Sequence, residues 1–179
     1  VECDAIVCPA ASCLVAAKEN FHEFDQSQEA LDVINKLYEL TEFLHDIAPI
    51  SGFKNKFEHT ISLQMSCHGL RMLSLATPSE SMGPQFNKVE AVLQSIPGIK
   101  IVYPAPRDEC CGFGGTFAVD EGAVSAKMGK DKAHAHAATH AQYVVGFDPS
   151  CLLHLDGMIR RQLLPIQTRH IAQIIDAAL

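Results

Sequence analysis

Short β-like segments alternate with helical segments along most of this 179-residue chain. The β-like segments are 4–8, 60–66, 99–103 and 142–147, and the helical ones are 28–48, 85–95, 121–139, the stretch after Cys151, and 169–178. Strands that alternate with helices are typical of α/β folds, in which helices cover the sheet. We therefore predict an α/β layered fold with a mainly parallel sheet and flanking helices.

Four cysteines stand near the ends of three predicted strands. Cys67 follows one strand directly, whereas the pair Cys110-Cys111 and Cys151 follow two others after short loops. The carboxyl ends of parallel strands line one edge of a sheet, where ligand sites gather. Cysteines that are far apart in the sequence can therefore meet there, which predicts one shared thiol site.

The adjacent cysteines are followed by a glycine-rich loop that contains Gly112, Gly114 and Gly115. Adjacent thiolates do not chelate one ion with ideal geometry, but they can bridge two irons of a cluster. The glycines allow a tight loop, and their N–H groups can approach cluster sulfurs. An isolated free cysteine is more often a small core residue, but four at strand ends favour a metal site with an iron–sulfur cluster.

Two histidines lie beside these cysteines. His154 stands one helical turn after Cys151, so both side chains can face one point. A Cys-x-x-His pair can bind zinc or iron, although a polar residue near a helix start is an alternative. His68 follows Cys67 directly and is expected to support the site rather than bind metal.

Other histidines and arginines are less strongly indicated as parts of the metal site. His134, His136 and His140 lie in an alanine-rich helical segment without the glutamate of a His-Glu-x-x-His motif, so we expect them on a solvated face. Arg71 and Arg107 could offset the charge of a thiolate site, and a surface role accounts for them equally well.

Composition narrows the class of protein. The net charge is −7, from 14 basic and 21 acidic residues, and no basic run exceeds two residues, which argues against a nucleic-acid partner. No apolar stretch reaches the ~18 residues that span a bilayer, and no signal peptide is visible. The seven cysteines without a secretion signal indicate a reducing compartment, so the expected location is the cytoplasm.

One internal repeat is visible. Residues 6–14 resemble residues 144–152, and both read as strand, proline-containing turn, Ser-Cys and helix. By this comparison Cys13 corresponds to Cys151. The chain begins at Val1 without an initiator methionine, and we expect that it starts inside a first repeat whose opening half is missing.

At these motifs the sequence resembles the cysteine-rich CCG domain family. That family includes the iron–sulfur subunits of glycolate and glycerol-3-phosphate oxidoreductases and the B subunit of heterodisulfide reductase. The stronger likeness is to the lactate-utilisation protein A, or glycolate oxidase iron–sulfur subunit-like, group. The motifs shared with that group are Ser66-Cys67-His68, residues 110–117, Ser125 with Met128, residues 150–153 and His170-Ile171-Ala172.

The resemblance implies one complete CCG domain over 53–179, preceded over 1–52 by the end of a first repeat, including Cys13, and a connecting helix. It also implies a metal site built from Cys67, Cys110, Cys111 and Cys151. His154 replaces the last cysteine of the family motif. This substitution leaves a [4Fe–4S] cluster, a cluster with histidine ligation, or zinc as alternatives.

By the same resemblance, the chain is expected to be an electron-transfer subunit of a cytoplasmic complex that oxidises lactate or a related 2-hydroxy acid. No flavin or hydride-acceptor fingerprint occurs, so partner subunits would oxidise the substrate and this chain would be accessory. Two alternatives stay open. One is a zinc-stabilised structural or interaction module, and the other is thiol–disulfide chemistry at Cys110 and Cys111.

Overall fold

The computed structural model describes residues 3–179, apart from the side chain of His22, so the expectation about Val1 lies outside the described residues. The strands are β1 (Ile6–Cys8), β2 (Leu37–Glu39), β3 (Thr60–Gln64), β4 (Lys100–Val102), β5 (Tyr143–Gly146) and β6 (Gln167–His170). The helices are α1 (Ala11–Phe24), α2 (Gln28–Asn35), α3 (Leu40–Glu42), α4 (Lys88–Gln94), α5 (Phe117–Asp120), α6 (Gly122–Ala137), α7 (Pro149–Arg161) and α8 (Ile171–Ala178). Phe43–Ile47 and His68–Met72 are π-helical segments.

A four-stranded parallel sheet forms the centre of the molecule, in the order β4-β3-β5-β6. Alternate residues of a strand face opposite sides of a sheet. Val145 accordingly packs in a core that includes Leu93 of α4 and Ile174 of α8. Its neighbour Val144 packs in a second core, which includes Leu155 of α7. The predicted α/β fold with a mainly parallel sheet and flanking helices is confirmed.

The single helix predicted over 28–48 is wrong. α2 ends at Asn35, and the chain then forms β2, which pairs in parallel with β1 in a separate two-stranded sheet. Pairing of Leu37 with Ile6 and of Glu39 with Cys8 satisfies the backbone of this segment. Tertiary pairing therefore overrides a helical pattern that the sequence carries on both sides of β2.

The last predicted helix, 169–178, is also too long. Its first residues belong to β6, whose pairing with β5 places Arg169 beside Val145. The helix proper begins at Ile171, where the His170 side chain accepts a hydrogen bond from the backbone N–H of Ala172 at 3.1 Å. β6 escaped prediction because it has only four residues, which lack a clear alternation of apolar and polar side chains.

Within residues 3–179, the structure has no helix with both the length and the apolar character needed to cross a membrane.

His136 is buried rather than solvated, so that prediction is wrong, whereas His134 and His140 are exposed as expected. Its Nδ1 lies 2.8 Å from the Ser62 hydroxyl oxygen, and its Nε2 lies 2.7 Å from the Gln64 side-chain oxygen. These contacts fasten α6 to β3 at the middle of the sheet. Burial, together with the nearby charge of Lys132, lowers the pKa of His136 to about 3.

This buried histidine predicts a stability loss in acid. Unfolded His136 binds a proton below about pH 6.5, whereas the folded ring, with its pKa lowered to about 3, does not. The free energy of unfolding should therefore fall as the pH drops from about 6.5 towards 3, by roughly 1.4 kcal/mol per pH unit from this group. Urea denaturation of the wild type and of His136→Gln at several pH values measures the difference. Parallel pH profiles for the two proteins would contradict the assignment.

Candidate metal centre

Four cysteines predicted to meet do so at one cavity of about 500 Å³. Cys67 stands three residues after the end of β3, at the start of the π-helical segment His68–Met72. Cys110 and Cys111 lie in the loop after β4, and Cys151 lies in the first turn of α7, after β5. The site therefore occupies the carboxyl edge of the sheet. A larger groove of about 960 Å³, between α7 and β6, has no cysteine in its lining.

The thiols are in contact with one another. The Sγ atoms of Cys111 and Cys151 lie 3.0 Å apart. Cys110 accepts hydrogen bonds from Cys111 and Cys67, which lowers the pKa of Cys110 far below that of an ordinary thiol. Donation to Cys110, together with burial, raises the pKa values of Cys67 and Cys111. Cys110 is therefore the thiol of this group that loses its proton most readily, and a soft metal would displace the protons of the others.

Gly112 fixes the backbone that follows the paired cysteines. Its φ is +87°, and a Cβ atom there would stand 2.6 Å from Cβ of Met128 and 2.8 Å from the Ser125 carbonyl oxygen. The loop can therefore approach α6 only because residue 112 has no side chain. Its N–H also donates to the Cys110 sulfur at 3.3 Å, which is the kind of contact that stabilises a thiolate.

Asp148 organises the other side of the cavity. Its carboxylate is 1% exposed and accepts hydrogen bonds from the backbone N–H groups of Ser150, at 3.2 Å, and Ser12, at 2.9 Å. It also accepts the Ser12 hydroxyl at 3.1 Å. Asp148 therefore caps α7 in the usual way and at the same time holds the start of α1.

Asp148→Asn should loosen α1 and leave α7 capped. The amide oxygen can still accept from the Ser150 N–H and the Ser12 hydroxyl, but its NH₂ group would face the backbone N–H of Ser12. We expect a loss of about 1–2 kcal/mol in the free energy of unfolding and faster hydrogen exchange in the first turns of α1. The exposed Asp176 gives the control, Asp176→Asn, and a result equal to that control would show that Asp148 does not hold α1.

Lys132 of α6 is a buried cation behind the site. It is 1% exposed, and its ammonium donates to the carbonyl oxygens of Pro106 and Arg107, both at 2.9 Å. Burial lowers the pKa of Lys132, while the charges of Glu109 and nearby groups, including Cys67 and Cys111, oppose that shift. This role could not be predicted, because Lys132 lies in a segment rich in alanine and lysine that resembles a solvated helix.

The other predicted site residues lie as follows. The His154 side chain is not part of the cavity lining; its Nε2 lies 3.3 Å from the Ser125 carbonyl oxygen, on the side of α7 that faces α6. His68 lines the cavity beside Cys67, as do Gly114 and Gly115 of the loop.

The two arginines and Cys13 also have defined positions. Arg71 forms an ion pair with Glu80 at 2.8 Å, and the Arg107 guanidinium stacks over the Tyr103 ring. Cys13 also lines the cavity, which the sequence did not suggest.

The residues present fit a thiolate-bound metal centre. Thiolates are soft ligands that suit iron–sulfur clusters and zinc, and the cavity gathers them in a partly buried space. Within the part of the chain that the structure describes, no three His, Cys, Asp or Glu side chains are placed so that they could hold one metal ion. The thiols instead cluster beside a cavity of about 500 Å³, which has room for more than a single ion.

Fold and site together define a cysteine-rich α/β domain with a thiol cavity at the carboxyl edge of its sheet. Residues 61–156 match the family model described as CCG, cysteine-rich domain, and the chain belongs to this family. The matched segment contains Cys67, Cys110, Cys111 and Cys151, whereas Cys13 lies outside it. The family predicted from the motifs is confirmed.

The chain is also similar to proteins named lactate utilization protein A. It is 33% identical over 175 residues to that of Oceanobacillus iheyensis, which covers 96% of this chain and 68% of that protein. It is 32% identical over 177 residues to that of Lysinibacillus sphaericus, covering 97% of this chain and 73% of the relative. The protein of Anoxybacillus flavithermus is 32% identical over 175 residues, with 96% and 69% covered.

Proposed function

We propose that this chain is an iron–sulfur electron-transfer component of a cytoplasmic system that oxidises lactate or a related 2-hydroxy acid. The observation that carries the proposal is the convergence of Cys67, Cys110, Cys111 and Cys151 on one cavity. The names of the relatives support the link to lactate.

In this proposal the four cysteines bind the cluster as thiolates. When bound, a cluster supplies one-electron transfer at a potential set by its ligands, charge and hydrogen bonds. The backbone N–H of Gly112 donates to the Cys110 sulfur, while Lys132 and the N-terminal end of α7 offset the negative charge. His154 is left out of the proposed ligand set because its ring faces α6.

A cluster is favoured over a single zinc ion by the adjacent cysteines Cys110 and Cys111, whose thiolates can bridge two irons, and by the volume of the cavity. A cluster distributes its ligands over several irons, whereas structural zinc draws four ligands around one centre. The cavity of about 500 Å³ has room for several irons, and no three donors among residues 3–179 are placed to hold one ion, so we favour the first arrangement.

Substrate oxidation itself is assigned to partner subunits. The chain carries no flavin or hydride-acceptor fingerprint, and the cavity brings together the thiols of Cys67, Cys110, Cys111 and Cys151. The proposed role is therefore to pass electrons from a lactate-oxidising partner to an acceptor.

Reversible electron uptake tests the redox function. Protein reconstituted anaerobically with iron and sulfide should bleach on addition of dithionite, show an electron paramagnetic resonance signal, and regain its colour on mild oxidation. A reconstituted protein that holds iron but takes up no electron would contradict electron transfer.

The link to lactate needs a separate test. An anaerobic extract of lactate-grown Oceanobacillus iheyensis, supplied with L-lactate, should reduce the cluster, and the same extract without lactate should not. Equal reduction with and without lactate would overturn the substrate assignment and leave the redox function standing.

Lys132 should raise the reduction potential of the cluster. Removing a buried positive charge favours the oxidised, less negative form, so Lys132→Met should lower the midpoint potential by on the order of tens of millivolts. The exposed Lys130 provides the control, Lys130→Met. Equal potentials in the two variants would show that Lys132 serves only to hold the loop.

A second candidate function is thiol–disulfide exchange at the same cysteines. The 3.0 Å separation of the Cys111 and Cys151 sulfurs favours it, since two thiols so placed can join with loss of two electrons and two protons to a disulfide substrate. Disulfide reduction by metal-free protein, lost in Cys151→Ser, would support this candidate over the cluster.

A further inference from the structure

α1 and α7 begin in the same way relative to the strands that precede them. β1 ends at Cys8 and α1 begins at Ala11, while β5 ends at Gly146 and α7 begins at Pro149, so each helix starts three residues after its strand. Cys13 is consequently the third residue of α1, as Cys151 is the third residue of α7. The structural match supports the short sequence repeat that relates these two cysteines.

One carboxylate serves both helix starts. Ala10, the residue before α1, has no side chain that can cap the helix, whereas Asp148 occupies the same position before α7. Asp148 supplies the missing cap as well, since it accepts from the N–H of Ser12 and from that of Ser150. These two serines immediately precede the corresponding cysteines, so Asp148 fixes the starts of α1 and α7 next to one another.

The start of α1 is held by two further contacts. Ala11 is fully buried in the core cluster that contains Leu63 of β3. The carbonyl oxygen of Pro9 lies 2.9 Å from Nε2 of His170. The position of Cys13 at the mouth of the cavity is therefore fixed by packing, by a shared cap and by a contact to β6.

We propose that Cys13 is a fifth thiol of the cysteine cavity and binds, as a thiolate, the metal centre held there. The identity of that centre as an iron–sulfur cluster rests on the proposed function. The segment that supplies Cys13 lies before the matched family region of 61–156, so the site would be closed by residues from both repeats. Cys13 is exposed while the other four cysteines are more buried, which places it at the solvent-facing side.

Cross-linking of the metal-free, reduced protein tests the placement of Cys13 without any cluster. Dibromobimane joins two neighbouring thiols as each sulfur displaces one bromide, and mass spectrometry of the peptides identifies the pair. We expect cross-links from Cys13 to Cys67, Cys110, Cys111 or Cys151. The Cys111–Cys151 pair, whose sulfurs are 3.0 Å apart, is the internal positive control. Cross-links confined to the other four cysteines, with Cys13 modified only singly, would overturn the proposal.

Ligation is tested on the reconstituted protein with Cys13→Ser and the matched control Cys8→Ser. Cys8 lies in β1 and its thiol donates to the Ala10 carbonyl oxygen at 3.4 Å, away from the cavity lining. Loss of iron to a chelator should be about tenfold faster or more in Cys13→Ser, with an altered electron paramagnetic resonance spectrum. Behaviour identical to Cys8→Ser would overturn ligation by Cys13.

The two experiments separate this proposal from the proposed function. If wild-type protein binds no iron but Cys13 is cross-linked to the cavity cysteines, the electron-transfer role fails and the five-thiol site stands. If iron binds, but no cross-link includes Cys13 and Cys13→Ser behaves as Cys8→Ser, the electron-transfer role stands and the five-thiol site fails.

Discussion

Cys111→Ser should abolish stable iron binding by this chain. Cys111 is buried, contacts Cys151 through sulfur at 3.0 Å and donates to Cys110, so its sulfur is central to the cavity. A serine hydroxyl is smaller and harder than a thiolate, and it does not replace a soft ligand to iron. The iron retained after anaerobic reconstitution and desalting should fall by about tenfold or more relative to the wild type.

Cys8→Ser is the matched control for this change, because it makes the same replacement at a cysteine outside the cavity. Its iron content should equal that of the wild type. Circular dichroism of both variants verifies that the fold is retained, so that loss of iron reports ligation. Wild-type iron content in Cys111→Ser would contradict the assignment of Cys111 as a ligand.

Gly112→Ala should disrupt the loop that presents the paired cysteines. An alanine at φ +87° is strained, and its Cβ would stand 2.6 Å from Met128 Cβ and 2.8 Å from the Ser125 carbonyl oxygen. The backbone penalty is about 1–2 kcal/mol, and the clash with α6 adds about 1–3 kcal/mol. We therefore expect a loss of roughly 2–5 kcal/mol in the free energy of unfolding, together with loss of iron as the loop moves away from α6.

Gly115→Ala separates strain from clash. Gly115 has φ +60°, but no atom lies within 4 Å of the position that its Cβ would take. Only the backbone penalty of about 1–2 kcal/mol applies there. Urea denaturation of the two variants measures the difference, and equal losses would show that contact between the loop and α6 does not determine the position of the cysteines.

The carboxyl-edge cavity could be predicted from the sequence because it depends on order along the chain. Cys67, Cys110 and Cys151 each follow a strand, and parallel pairing brings strand ends together whatever the details of packing. The Cys-Cys-Gly loop was informative for the same local reason: Gly112 has the positive φ that its residue type allows.

Features that depend on packing between distant segments could not be predicted. The pattern over 28–48 is helical, and only the presence of β1 beside it turns Leu37–Glu39 into a strand. His136 and Lys132 look like solvated residues of an alanine-rich helix, yet they are covered by β3 and by the loop before Cys110. Burial of a polar side chain by a partner segment leaves no periodic signal in its own segment.

Cys13 combines a feature that could be predicted from the sequence with one that could not. The sequence comparison relates it to Cys151, but it does not indicate that Cys13 and Cys151 line the same cavity. That follows from the Asp148 carboxylate, which Ser12 and Ser150 approach from opposite ends of the sequence. The direction of the His154 side chain could not be predicted either. Its position one turn after Cys151 allows the ring to face the cavity or to face α6, and in the structure it faces α6.

The central claim is that the cysteine cavity binds an iron–sulfur cluster, and metal analysis tests it most directly. Iron, acid-labile sulfide and zinc are measured per chain in protein produced anaerobically in iron-replete cells and reconstituted without oxygen. We expect a brown protein with about four irons and about four sulfides per chain, little zinc, and loss of both iron and sulfide in Cys111→Ser. A colourless protein that holds no iron, or one that retains stoichiometric zinc under these conditions, would contradict the account.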